Sequence, residues 1–165
     1  LGRWFLTRHE AGLTGGMDFS TASAWGVGFE CSKLRNQADV IIIDTPPKVD
    51  GDLRPALREA DLVLVPVASS QLDVWATEGV LDLARRCDRT PIVIINRIRP
   101  NTRLASEVLA AVEGLGTEVA GPTLGNRVAY AETLGKGLAG IEGVRSPVIQ
   151  DELEALLAFV QSRLT

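Results

Sequence analysis

The chain lacks several features that would narrow its function at once. Only two of its 165 residues are cysteine, Cys31 and Cys87, and they make neither a metal-ligand spacing nor a disulfide framework. A reducing, cytoplasmic compartment is therefore the default expectation. The single histidine, His9, stands in no serine, cysteine or aspartate constellation, and a surface position is expected for it. No apolar run approaches the roughly 18 residues of a membrane span, so no integral membrane segment is expected. No secretory leader is visible, although residue 1 is Leu rather than Met. There is no internal repeat. Positive charge is not in excess: 17 Lys and Arg face 21 Asp and Glu, a net charge of −4, which gives nucleic-acid binding no support.

What is present is ordinary globular material. Hydrophobic residues make up 45% and charged residues 23%, which excludes disordered and low-complexity classes. The length fits one domain, large enough for a core without disulfides or metal. Residues 1–38 are the least regular stretch, with a short helix possible over Leu1 to Glu10. From Asp39 onward the composition changes to a βα core. Val40-Ile41-Ile42-Ile43 is an uninterrupted β-branched run that reads as a strand buried on both faces. Asp44-Thr45-Pro46-Pro47 stops it, since prolines cannot extend a ladder. Leu62 to Val67 and Pro91 to Ile95 are two more apolar strands, and Glu118 to Ala120 is a weaker one. Helices are predicted over 53–60, 72–86, 102–114 and 127–135, with a last one from Ser146-Pro147. The stripe Leu72, Ala76, Gly79, Val80 and Leu83 marks the expected inner face of the second, and Trp75 is expected in the core. Leu153, Leu156, Leu157, Val160 and Leu164 mark that of the last. Strands alternating with helices mean an α/β fold, a parallel sheet flanked by helices, with ligands at the carboxyl ends of the strands.

Those ends carry the candidate chemistry. Asp44 tips an apolar strand, where a carboxylate needs a compensating partner such as Mg²⁺; an aspartate capping the next turn is the alternative. Asn96 ends the Pro91 to Ile95 strand, and its amide offers both a donor and an acceptor; a self-satisfied turn residue is the alternative. Arg97, Arg99, Arg103, Arg127 and Arg145 make a basic surface only if they share one face.

Val40 to Pro47 resembles the Walker B and switch II segment of the ParA/MinD family of deviant-Walker P-loop ATPases. Ala60 to Ala76 is similar to that family's next strand and helix. Ile94-Ile95-Asn96-Arg97 resembles the strand whose terminal Asn meets adenine. Leu124 to Glu132 resembles the late Ile-Pro-x-Arg-x-Ala-x-x-Glu segment, with Gly125 where the family often has proline, and Gly137 resembles the glycine just beyond that segment. The resemblance runs from about Asp39 to the C-terminus and implies a three-layer P-loop NTPase fold. It implies an ATP hydrolase that forms a Mg-ATP-bound homodimer and segregates a plasmid, chromosome or other cargo. A ParB-like or cargo partner, nonspecific DNA and a nucleoid-associated location go with it. By the same resemblance Asp44 is the catalytic residue and holds Mg²⁺ through water. Thr45, Pro46 and Pro47 form the switch, Asn96 and Arg97 bind the nucleotide, and Arg127 and Arg145 are weak nucleic-acid candidates.

The 165 residues contain no Lys-Gly-Gly-x-Gly-Lys-[Ser/Thr] loop, the family's Walker A motif, whose backbone N–H groups and lysines cradle phosphate. The switch I aspartate is also missing. Residues 1–8 resemble the segment just C-terminal to that aspartate in the family, so the expectation is a chain incomplete at its N-terminus. Without the family's first strand, the chain alone is expected to be marginal, swapped or oligomeric. A non-catalytic ParA-like interaction module or truncated remnant is the alternative. An amidotransferase-like synthetase or iron-protein relative is a weaker one, and neither cysteine suits the latter.

Overall fold

The structure is a computed structural model, in which residues 1–46 and 53–164 are described. In chain order the elements are α1 (Gly2–Glu10), a 3₁₀ turn (Ala24–Gly26), α2 (Val27–Leu34), α3 (Leu53–Glu59) and β1 (Val63–Val67). They continue with α4 (Gln71–Arg85), β2 (Pro91–Ile95), α5 (Arg103–Glu113), β3 (Glu118–Val119), α6 (Val128–Leu134) and α7 (Pro147–Leu164). The stretch 1–38 is thus more regular than its composition suggests, since it holds α1 and α2.

The three strands form a parallel sheet in the order β1-β2-β3. β2 is central and all five of its residues are buried. Its side chains alternate between two layers, as strand geometry requires. Val93 and Ile95 join the cluster made with Leu53 and Leu57 of α3, Val74, Leu81 and Ala84 of α4, and Val108 and Val112 of α5. Ile92 and Ile94 face the other way, against Ala120 and the half-buried Leu64, Leu156 and Phe159. This is the expected α/β arrangement, with helices on both faces of a parallel sheet.

The helices end where local chemistry says they should. The Ser70 hydroxyl caps α4 by accepting the Asp73 N–H at 3.2 Å, and Thr102 caps α5 by accepting the Ala105 N–H at 3.1 Å, each cap being worth about 1 kcal/mol. The buried face of α4, however, is Val74, Thr77, Leu81 and Ala84, joined by Leu83. Leu72 and Trp75 lie outside, 70% and 58% exposed, which corrects the predicted stripe and the core placement of Trp75. Two apolar stripes compete on this helix, and only contact with β1 and α5 selects between them. On α7, Phe159 takes the contact with the sheet while Leu157 and Leu164 are exposed.

The larger correction concerns Val40 to Ile43. This run is not a strand: residues 40–46 make no ladder, and Ile42 is 81% exposed. A parallel strand needs hydrogen-bonding neighbours as well as apolar side chains, and none flanks it among the described residues. β1 is the edge of the sheet. The Val67 carbonyl accepts the Asn96 N–H at 2.8 Å, so the alternate positions Leu64 and Pro66 turn their backbone groups away from β2. The absent N–H of Pro66 therefore costs no ladder bond.

Helix α1 is held by a buried arginine. Arg8 donates a fork to Glu142, Nη1 to Oε2 at 2.6 Å and Nη2 to Oε1 at 2.8 Å, and Nη1 also reaches the Gly137 carbonyl at 3.1 Å. Trp4 adds an Nε1–H bond to the Leu138 carbonyl at 3.1 Å. Gly137 sits at φ +73°, and a Cβ there would lie 2.6 Å from the Arg8 backbone nitrogen. Glycine is required at this position on both counts.

Candidate functional site

The carboxyl ends of β1 and β2 open onto a cleft of about 470 Å³. Ser69, Ser70 and Asp73 line it from the start of α4, Arg97, Arg99 and Thr102 from the loop after β2, and Asn126 from the far side. The loop after β2 does not simply leave the sheet. The Leu124 N–H donates to the Ile95 carbonyl at 2.9 Å, the Ile98 N–H to the Leu124 carbonyl at 3.0 Å, and the Asn126 N–H to the Ile98 carbonyl at 2.8 Å. A parallel bridge links Ile98 and Gly125. Two segments far apart in sequence, 95–98 and 124–126, are thereby zipped together beside Asn96.

Asn96 is half-buried at the tip of β2, and its side-chain amide has no intramolecular partner among the described residues. Arg97 follows in the left-handed region at φ 54°, a conformation that costs a non-glycine residue about 1 kcal/mol or more. Its carbonyl accepts the Ser69 hydroxyl at 3.1 Å, which ties the β1 and β2 exits together. Neither Arg97 nor Arg99 has a carboxylate partner among the described residues, so the cleft presents two free guanidinium groups beside the N-terminus of α4. Cationic and N–H-rich concavities of this kind suit an anionic ligand. Within the cleft, Asp73 is engaged by the Ser70 hydroxyl.

The other sequence candidates lie elsewhere. Asp44 is exposed and does not line the cleft. Thr45 and Pro46 are exposed beside it, and Pro47 lies outside the described residues. Arg145 is exposed, whereas Arg127 is occupied by Glu152. The arginines therefore do not form one face: Arg97 and Arg99 share the cleft, Arg103 pairs with Glu107 at 2.9 Å, and Arg127 faces α7. His9 is exposed and stacks on Phe5, and both cysteines are free thiols. Among the described residues no group of three acidic, histidine or cysteine side chains could hold a metal by itself. A nucleotide-bound Mg²⁺ needs only one or two carboxylates, its other positions being water and phosphate.

Sequence reasoning missed Ser69, Ser70, Asp73, Asn126 and Glu152. The Ser70-x-x-Asp73 spacing is a capping pattern and was a readable signal. Nothing local marks Glu152, which acts 25 residues away from Arg127.

A parallel α/β sheet with an open crevice at its strand ends defines an α/β fold whose ligands, where it has them, sit at that crevice. Two comparisons with known proteins narrow it. The AAA domain family matches residues 28–98, which include the Asp44 segment, β1, α4, β2 and Asn96. The chain is also 25% identical over 126 residues to the maintenance of carboxysome distribution protein A of Halothiobacillus neapolitanus, covering 72% of this chain and 58% of that protein. The chain thus spans less than two thirds of that relative's length. Both findings bear out the ParA-like resemblance carried by the motifs.

Proposed function

We propose that the chain serves a ParA-like, Mg-ATP-dependent ATPase that distributes or segregates a cellular cargo, whether plasmid, chromosome or a larger particle, by cycling through a nucleotide-bound homodimer. The observation that carries this reading is the pairing of segments 95–98 and 124–126, which sets Asn96 next to Arg97 and Asn126 of a cationic cleft. The free amide of Asn96 suits the donor-acceptor edge of adenine, and Arg97 suits phosphate or ribose oxygens nearby. Asp44 holds Mg²⁺ through water in this reading, and Thr45, Pro46 and Pro47 form the segment that responds to nucleotide. Bound Mg²⁺ would neutralise the phosphates. The relative's name, which concerns the distribution of carboxysomes, favours cargo positioning. A ParB-like or cargo partner and a cytoplasmic, nucleoid-associated site belong to the same reading. Nonspecific DNA contact would fall to Arg145, the exposed member of the pair with Arg127.

Calorimetric titration of the protein with ATP, with and without Mg²⁺, tests the proposal. Asn96→Ala should weaken ATP binding about tenfold, the loss expected when a net hydrogen bond of about 1.4 kcal/mol goes. Asp44→Ala should abolish the Mg²⁺ enhancement. Unchanged ATP affinity in Asn96→Ala sinks the assignment. A second reading, a non-catalytic ParA-like interaction module, is favoured by one observation: Asp44 does not line the cleft. Cargo or partner binding that persists without nucleotide would support it.

A further inference from the structure

The turn that frames Asn96 is held from outside the sheet by a single carboxylate. Glu152, on the first half of α7, accepts the Gly125 N–H at 3.2 Å. It accepts a fork from Arg127, Nε to Oε2 at 3.0 Å and Nη2 to Oε1 at 2.5 Å. It also accepts the Tyr130 hydroxyl at 2.8 Å. Three donors from one turn and the helix after it therefore converge on one side chain. Gly125 is what allows the approach. A Cβ there would meet Glu152 Oε1 and Arg127 Nε, each at 2.9 Å, and a proline, common here in the resembled family, would have no N–H to give. The departure at Gly125 and the contact with Glu152 are one feature.

We propose that Glu152 is a positioning residue for the base-binding end of the site: from α7 it sets where the 124–127 turn lies against Asn96, and so how the adenine edge is read. The inference rests on the nucleotide reading above. Charge-assisted bonds to the backbone and a forked guanidinium hold a turn more rigidly than packing alone, and small misplacements of a recognition loop are costly. The surroundings agree with a tight latch. The Arg127 bond holds the Glu152 carboxyl below its usual range. Burial, with the Glu152 bond second, pushes the Tyr130 phenol up to about 12.

Tyr130 is the only tyrosine, so phenolate absorbance in alkaline titration reports this latch directly, without nucleotide. The test uses full-length protein, wild type and Glu152→Gln, with Mg-ATP and Mg-GTP as probes. In Glu152→Gln the Tyr130 titration should move down toward the ordinary range, and the ratio of ATP to GTP affinity should fall about tenfold. If this variant does not fold, Arg127→Lys keeps the charge but loses the fork and carries the same expectation for the ATP to GTP ratio, with the Tyr130 titration held up by Glu152. A shifted titration with an unchanged ATP to GTP ratio overturns the positioning role. An unchanged titration in Glu152→Gln overturns the latch itself. Wild-type protein that binds neither nucleotide, yet shows the titration shift in the variant, overturns the nucleotide reading and with it the base-positioning role, leaving Glu152 as a structural tie.

Discussion

Arg8 and Glu142 show how one residue pair decides where a helix sits. The Arg8 fork, followed by the Ala139 N–H at 2.7 Å, lowers the Glu142 carboxyl from its ordinary value of 4.5 to about 2. A carboxyl depressed on folding adds stability above its unfolded value and loses it as pH falls through the folded one. The contribution is thus complete above pH 4.5 and gone near pH 2. Urea midpoints measured across that interval should fall with acid in the wild type and fall less in Glu142→Gln; identical slopes would exclude the pair as a source of acid lability. None of this was legible locally. Arg8 reads as a solvated charge on a short helix, and only the return of the chain 129 residues later, at Gly137, buries it. Asn96 is the opposite case. A polar residue closing an apolar strand is visible in the sequence, and the structure places it at the strand tip with its amide unspent.

At the scale of elements, the order of helices and strands from residue 53 onward was readable, because strand runs, caps and breakers agree along the chain. Ser146-Pro147 marks the start of the last helix, and the β-branched runs mark β1 and β2. Which face of a helix turns inward was less readable. α4 has apolar residues on two sides, and its inner face is set by its packing against β1 and α5. Thermal or urea unfolding separates the two faces. Leu81→Ala, emptying a fully buried position, should cost roughly 2–5 kcal/mol. Leu72→Ala, on the outer face, should stay within about 0.5 kcal/mol. Equal losses would contradict the observed face. The 124–127 turn could not be placed from sequence either. Its position depends on long-range backbone bonds to 95–98 and on Glu152, three segments with no mutual signal in their spacing.

For the whole molecule, the decisive feature is an apolar run left outside the sheet. Val40 and Ile42 are exposed, and β1 has a free edge among the described residues. Unpaired edges and exposed β-branched runs favour association. Light scattering over a dilution series should show concentration-dependent oligomers, reduced by Ile42→Lys; a monomer at all concentrations in the wild type would refute this. By itself the sequence determined the α/β class, the succession of elements after residue 53, and the resemblance to ParA-like proteins carried by Asp44 to Pro47, Asn96 and Leu124 to Glu132. Those properties depend on local patterning, which a single chain segment can hold. The tertiary structure decided what local patterning cannot. It set the strand status of Val40 to Ile43, which requires neighbours, and the inner face of α4, which requires a partner sheet. It also brought Asn96, the 124–127 turn and Glu152 together, because hydrogen bonds across long chain separations form only once the fold has closed.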